Sequence, residues 1–370
     1  MHLAFGIINS ADRKLNVEGL QDYRPIGSFS FLGRYRLIDF PISNLVNSGI
    51  EKIAVQVGDR PRSLVQHLGS GRHYGINSKT GRLQILFSDE REDSNYNTDI
   101  ASYLYNLSII EKVPSPYVVI CPSYIIYTQD FCDLLDEHIK SDADITLLYH
   151  TVDNANEKYL GCHYLSLNRQ KGVESIEENR GRAKTRNIFM DTYIMKKELF
   201  IELIHKAKKV SSMYSLIDVV SDECHALDVR GISHKGYFAA VTDFQSYYSA
   251  NLDLLEYHAA SNLFHSEWPI LTKTTDSSPT QYFEGADVKS CFISNGCDIE
   301  GKIENSILGR GVTVKAGSVI KNSIILSGTY ISENTVIENQ VIDKGVQIKT
   351  QKKIVSSSSQ PGYIRKRDIL

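Results

Sequence analysis

The chain reads as a two-part fold, a Rossmann-like doubly wound α/β domain followed by a left-handed parallel β-helix of hexapeptide repeats. Three observations predict it. Short apolar strand patterns alternate with helical ones over roughly the first 250 residues, the order that produces a mainly parallel sheet. From roughly residue 290 onward, aliphatic residues recur every six positions. A length of 370 residues also exceeds what one ordinary core accommodates. The expected organisation is an α/β domain over residues 1–260, a linker over 261–284, a β-helix over 285–350 and a tail over 351–370.

In the first part, the stretch from Leu3 to Ile8 is short and apolar. KIAVQV (Lys52–Val57), LQILF (Leu83–Phe87), YVVIC (Tyr117–Cys121) and DITLLY (Asp144–Tyr149) repeat the type, as strands buried on both faces do. PISNLVNSGI ends a helix with Gly49 at C′, directly before KIAVQV, and ASYLYNLSIIEKV spaces its apolar residues at three and four. Asp130 is the expected N-cap of FCDLLDEHI. Asp243 is the expected N-cap of a single helix of about eighteen residues in DFQSYYSANLDLLEYHAA. IFMDTYIM (Ile188–Met195) reads as a strand.

The second part has a different rhythm. Ile293 and Ile299 are six apart, Val319, Ile325, Ile331 and Ile337 keep that spacing, and Ile342 and Ile348 resume it after one slip. Glycine, asparagine and serine fill the corners. Every sixth aliphatic side chain then stacks inward, so each coil buries the face its neighbour cannot bury alone. Sandwich strands would alternate at two instead. Cys291 and Cys297 are expected on stacked rungs as small apolar fillers, and QKKIVSSSSQPGYIRKRDIL as a solvated terminus.

Composition excludes several functions. A net charge of −3 with scattered cations leaves no footprint for nucleic acid. No apolar run is long enough for a membrane span, and MHLAFGIINSADRK lacks a charged segment ahead of its apolar stretch, so a cytoplasmic protein is expected. Six dispersed cysteines without a CxxC pair give no zinc or thiol-redox signature.

Specific words narrow the field. GRYRLIDFPISNLVNSGI (Gly33–Ile50), SLVQHLGSG (Ser63–Gly71), SANLDLL (Ser249–Leu255) and EWPILT (Glu267–Thr272) resemble the ADP-glucose pyrophosphorylase (glucose-1-phosphate adenylyltransferase) family, nearly end to end. The resemblance implies a GT-A-like nucleotidyltransferase domain. It also implies the reaction of ATP with glucose 1-phosphate to give ADP-glucose and pyrophosphate, the committed step of bacterial glycogen synthesis. The sugar phosphate is itself the nucleophile there, so the protein supplies a phosphate cradle, cations and Mg²⁺ ligands.

Measured against that family, this chain lacks the working parts. The glycine-rich phosphate loop aligns with Asn9, Ser10, Ala11, Asp12, Arg13, Lys14 and Leu15, without its glycines and with an added acid. The lysine preceding the GRYR word aligns with Ile26. The sugar-phosphate lysine of the family's Glu-Lys-Pro aligns with Glu178, between Glu177 and Asn179. The two metal-binding aspartates align with Tyr124 and Ala240, neither of them a hard oxygen ligand for Mg²⁺ at neutral pH.

This pattern, with RPIGSFSFLGRYRLIDF, resembles the family's second, GlgD-type subunit, which is non-catalytic and regulatory. That resemblance implies no catalytic residue, cofactor or metal in this chain, with Mg²⁺ only at a catalytic GlgC-type partner in a heterotetramer, or in a homo-oligomer. The family's anionic effector site between the domains corresponds to Arg24, Arg36 and Lys344, cations that here either bind a phosphate effector or hold the interface, Arg36 through Asp39. His67, on a helix without a nucleophile nearby, receives no role. The rival reading is an active transferase with relocated metal ligands, Asp12, Asp130 or Asp218. A hexapeptide acyltransferase would need a histidine in or beside its coils, and none occurs after His265.

Overall fold

The computed structural model describes residues 4–9, 15–76, 79, 81–88 and 98–370. The strands expected from the apolar runs form at Ala4–Asn9, Lys52–Val57, Arg82–Phe87, Tyr117–Pro122 and Ile145–Val152. They belong to a nine-stranded sheet whose main path runs Val173–Glu178, His163–Leu167, Arg186–Lys196, Tyr117–Pro122, Ala4–Asn9, Lys52–Val57, Arg82–Phe87. The last four of these pair parallel.

The sheet is mixed rather than wholly parallel. Arg186–Lys196 runs antiparallel between Tyr117–Pro122 and Ile145–Val152, with a register shift between Phe189 and Thr192. Asp191 sits in that irregularity with a left-handed φ of 43°. Apolar clusters on the two sheet faces bury Ile8, Val55 and Val119 on one side and Ile7, Ala54 and Ile120 on the other, as alternation along a strand requires.

Helix ends follow the local chemistry. Asp130 caps Phe131–Ser141 by accepting from the Cys132 N–H, and Asp243 caps Phe244–Asp253 by accepting from the Ser246 N–H. Gly49 takes a φ of 72° after the helix Asp39–Asn47. The single long helix expected after Asp243 is two, because Phe244–Asp253 ends at Leu254 and the Glu256 carboxylate caps a second helix, Tyr257–Ser261. The pattern ASYLYNLSIIEKV is likewise broken at Asn106, whose amide turns to the carbonyls of Phe87 and Ser102.

Beyond the linker, three five-stranded parallel sheets form the faces of a triangular prism. One coil advances 17 residues, so Ile303, Ile320 and Ile337 stack on one face and Leu308, Ile325 and Ile342 on another. The interior series is Ile320 and not Val319, since Val319 points outward while Ile320 is fully buried. From Ile303 to Ile354 the slip recurs in each coil, because its sides advance by five, six and six, whereas the first coil pairs residues 15 apart. Cys291 and Cys297 accordingly lie on neighbouring sides of one coil rather than stacked on each other, since Phe292 pairs with Ile307 and Asp298 with Thr313 in the coil above.

Residues 351–370 are not a solvated tail. Lys353–Val355 pairs with Val336–Glu338 and Gly362–Ile364 pairs with Gln340–Ile342, completing a last coil, and the first coil already begins at Gln281–Tyr282.

The third face of the prism lies against the α/β domain. Its inward residues Leu308 and Ile325 fill the coils, whereas Ile307, Ile324 and Val341 point outward into the same cluster that contains Phe31 and Leu37. Gly33 of the GRYR word explains how close the domains come. A Cβ there would lie 2.6 Å from the Leu308 carbonyl oxygen and 2.7 Å from Ser294 Oγ. The linker is strapped down as well, with Trp268 Nε1 donating to Asn44 and the Leu271 N–H to Ser43 Oγ at 2.8 Å.

Candidate functional site

Two places collect the residues singled out in the sequence. The first is a pocket of about 260 Å³ beyond the carboxyl ends of the parallel strands, lined in part by Asn9, Tyr124, His163, Asp191, Tyr193 and Thr242. Asn9 ends the first strand, and its carbonyl accepts from the Ser123 N–H at 3.0 Å. Ser10, Ala11, Asp12, Arg13 and Lys14 lie outside the described residues.

Tyr124 and Ala240 are brought together. Ala239–Ala240 pairs antiparallel with Ile125–Ile126, and the Val241 N–H donates to the Tyr124 carbonyl at 2.9 Å. Both side chains are buried, and the Tyr124 hydroxyl donates to the Asp191 carboxylate. The two positions that the resemblance aligns with metal-binding aspartates thus carry a phenol and a methyl group, which do not fit Mg²⁺.

The other aligned positions are equally committed. Ile26 is 2% exposed inside the main apolar cluster. Glu178 is exposed and faces Arg180 across 3.4 Å, while Glu177 accepts from the Tyr164 hydroxyl at 2.7 Å. Asn179 is buried, and its amide holds the carbonyls of Ala155 and Tyr159. Of the acids proposed as relocated ligands, Asp130 is a helix cap, and Asp218 closes a capping box with Ser215 at the edge of this pocket.

The second place is the seam between the domains. Arg24, 3% exposed, ion-pairs with the fully buried Asp343 of the β-helix. Asp343 also accepts from the Tyr363 hydroxyl at 2.8 Å. The second terminal nitrogen of Arg24, Nη1, is buried without a hydrogen-bond partner among the described residues. Arg36 lies close to Arg24, but its guanidinium donates to the Ser63 carbonyl at 2.7 Å. Its link to Asp39 runs through its backbone N–H at 2.8 Å, which corrects the expected side-chain pair.

Burial lowers the Lys344 amine to about 7, with repulsion from Arg36, Arg24 and Lys366 adding to it and Asp343 opposing. Burial likewise pulls the Arg36 guanidinium down, helped by Arg24 and Arg310. Arg24, Lys344 and Lys366 thus gather round the Asp343 carboxylate, with Arg36 beside Arg24 and Lys344. Sequence reasoning missed Lys366 and Tyr363 because they lie in the stretch read as a solvated tail. The signal was there, since Ile354 continues the spacing of six from Ile348.

His67 takes a structural part. Its Nε2 bonds the Asp39 carboxylate at 2.6 Å, and Asp39 also accepts from the Tyr74 and Thr272 hydroxyls. This buried carboxylate ties the GRYR segment, two helical turns and the linker together.

Comparison with known proteins agrees with this architecture. Residues 23–257 match the nucleotidyl transferase family, and residues 278–360 match the GlmU-like C-terminal hexapeptide family, whose coils are left-handed. The chain is 30% identical to the glycogen biosynthesis protein GlgD of Geobacillus stearothermophilus over 85% of this chain and 82% of that one. It is 28% identical to GlgD of Bacillus subtilis over the same shares. It is 31% identical to the glucose-1-phosphate adenylyltransferase of Thermosipho africanus, over 79% of this chain and 71% of that protein. With a nucleotidyl transferase domain, a hexapeptide β-helix and this spread of relatives, the chain belongs to the glucose-1-phosphate adenylyltransferase family, alongside its GlgD members.

Proposed function

We propose that this chain is a non-catalytic, regulatory subunit of a heteromeric glucose-1-phosphate adenylyltransferase in glycogen biosynthesis, acting on a GlgC-type catalytic partner. The observation that carries the proposal is the pairing of Tyr124 with Ala240. The backbone that would present two metal ligands is intact, and its side chains are turned to packing and to a hydrogen bond with Asp191. The loss of lysine at Ile26 and Glu178 points the same way. On this reading Mg²⁺ and turnover belong to the partner, and the assembly is a cytoplasmic heterotetramer.

The retained cations support a regulatory role. An anionic phosphate effector at Arg24, Arg36, Lys344 and Lys366 would meet an unpartnered Arg24 nitrogen and would relieve repulsion among groups drawn from both domains. Binding there is thereby linked to the angle between the domains, and through it to the partner.

The test is ADP-glucose formation by a fixed amount of catalytic subunit while this chain is titrated in, with one arm lacking the catalytic subunit. A saturable change in rate or substrate affinity is expected, with no product from this chain alone. Mg²⁺-dependent turnover by this chain alone would overturn the proposal in favour of a transferase with relocated ligands.

A further inference from the structure

A second pocket, of about 180 Å³, opens between the segment 157–160 and the helix Phe244–Asp253, and shares only Thr242 with the pocket described above. Its wall is aromatic. Tyr159 stacks on Phe238 at 5.2 Å and 28°, and Phe238 stacks in turn on His150 at 4.9 Å and 21°. The ring of Tyr159 is placed at a conformational cost, since its backbone adopts a left-handed φ of 59° without being glycine. The buried Asn179 amide holds it there by donating to the Ala155 carbonyl at 2.9 Å and to Tyr159's own carbonyl at 3.0 Å. Strain maintained by a buried side chain, at the lip of a cavity, indicates a wall built for occupancy.

Two polar groups at this wall are placed to take a ligand, while the Tyr159 hydroxyl donates to the Phe238 carbonyl at 3.5 Å. The Tyr237 hydroxyl and the Asp253 carboxylate approach each other and Tyr159, and neither makes a side-chain hydrogen bond to a described residue. Partial burial raises the Asp253 carboxyl, with Lys158 opposing. Gln245 and Ser249 lie at the same rim, and Gln245 reaches the last coil of the β-helix at the Ser358 carbonyl. Three acids, Glu157, Asp243 and Asp253, face one lysine, Lys158, so the rim repels phosphate.

The geometry points to a binding site for an uncharged pyranose, with the chemistry of a terminal glucose unit of an α-glucan, between Tyr159, Tyr237 and Asp253. A pyranose offers a face of C–H groups that lies on an aromatic ring, and a rim of hydroxyls that a carboxylate and a phenol bond in pairs. This site depends on neither the loss of catalysis nor the presence of a catalytic partner, so it stands or falls separately from the regulatory reading. It would let the chain register a neutral sugar polymer in addition to any phosphorylated effector.

The probe is maltotriose, added to the purified full-length chain and followed by saturation-transfer NMR and calorimetry, with adenosine and glucose 1-phosphate as competitors. Saturation transfer to maltotriose is expected, unaffected by glucose 1-phosphate. Asp253→Asn and Tyr237→Phe should each weaken binding by about fivefold to tenfold, the loss of one hydrogen bond, without changing the melting temperature. Tyr159→Ala should abolish it. Should Tyr159→Ala fail to fold, the two conservative variants decide. No transfer to maltotriose, unchanged affinity in both conservative variants, or displacement by adenosine at lower concentration than maltotriose would each overturn the assignment.

Discussion

The aligned positions at the strand ends and the cations of the domain seam are satisfied in opposite ways. At the aligned positions Tyr124, which lines the pocket, Ala240 behind it and Ile26 in the apolar cluster are each buried and each satisfied by packing or by a neighbour within the chain. In the seam, Arg24, Lys344 and Lys366 gather round Asp343 with Arg36 beside them, and a buried guanidinium nitrogen has no hydrogen-bond partner among the described residues. The first set is satisfied within the chain, whereas the second keeps cations that the single carboxylate of Asp343 does not balance. The contrast separates scaffold from function better than either region does alone.

The comparison is broken most sharply at Asp343. Asp343→Asn should cost about 4 kcal/mol of stability, because it leaves Arg24 charged and buried beside three other cations. Urea unfolding reads the loss, and saturating phosphate should restore part of it if the seam takes an anion. Ile26→Lys tests the other side of the comparison. Restoring the family's cation should destabilise the chain by about 3 kcal/mol, because the ammonium enters a closed apolar cluster, and no turnover should appear.

A smaller effect is expected at Lys344. Its folded amine titrates at about 7, below its ordinary value, so the folded chain holds fewer protons than the unfolded one between that point and the normal lysine range. Stability contributed by this group therefore rises with pH above 7, as the penalty for a buried charge disappears. Anion binding runs the other way. Phosphate affinity should fall by about tenfold on raising the pH through 7, as one charge-assisted hydrogen bond is lost, and Lys344→Met should flatten that profile. Smallest of all, Tyr124→Phe should cost about 1 kcal/mol, one hydrogen bond to Asp191, with no change in the response to phosphate.

The coils were the most legible part of the chain, since their signal is local and repeats. The single-residue misplacement at Val319 came from counting a uniform six where the step from Ile320 to Ile325 is five. Less legible were features decided at a distance. The antiparallel strand through Asp191, the interruption of the helix at Leu254 and the docking of the last coil all depend on neighbours far along the chain. Within the candidate sites, the aligned words located Tyr124 and Ala240 in contact and Arg24 near Lys344. They did not foresee that Asp343 would occupy one side of Arg24, because a pair 319 residues apart leaves no trace in local spacing.

That same separation orders events during synthesis. Arg24 is made early and acquires its counter-charge only when residue 343 has emerged and the coils bearing it have closed. The α/β domain leaves the ribosome with a patch meant for burial, the side that Ile307, Ile324 and Val341 will later cover. The β-helix thus acts as the finishing step of the first domain's own folding, and a chain interrupted before the last coils would present quality-control machinery with a greasy surface carrying an unneutralised arginine.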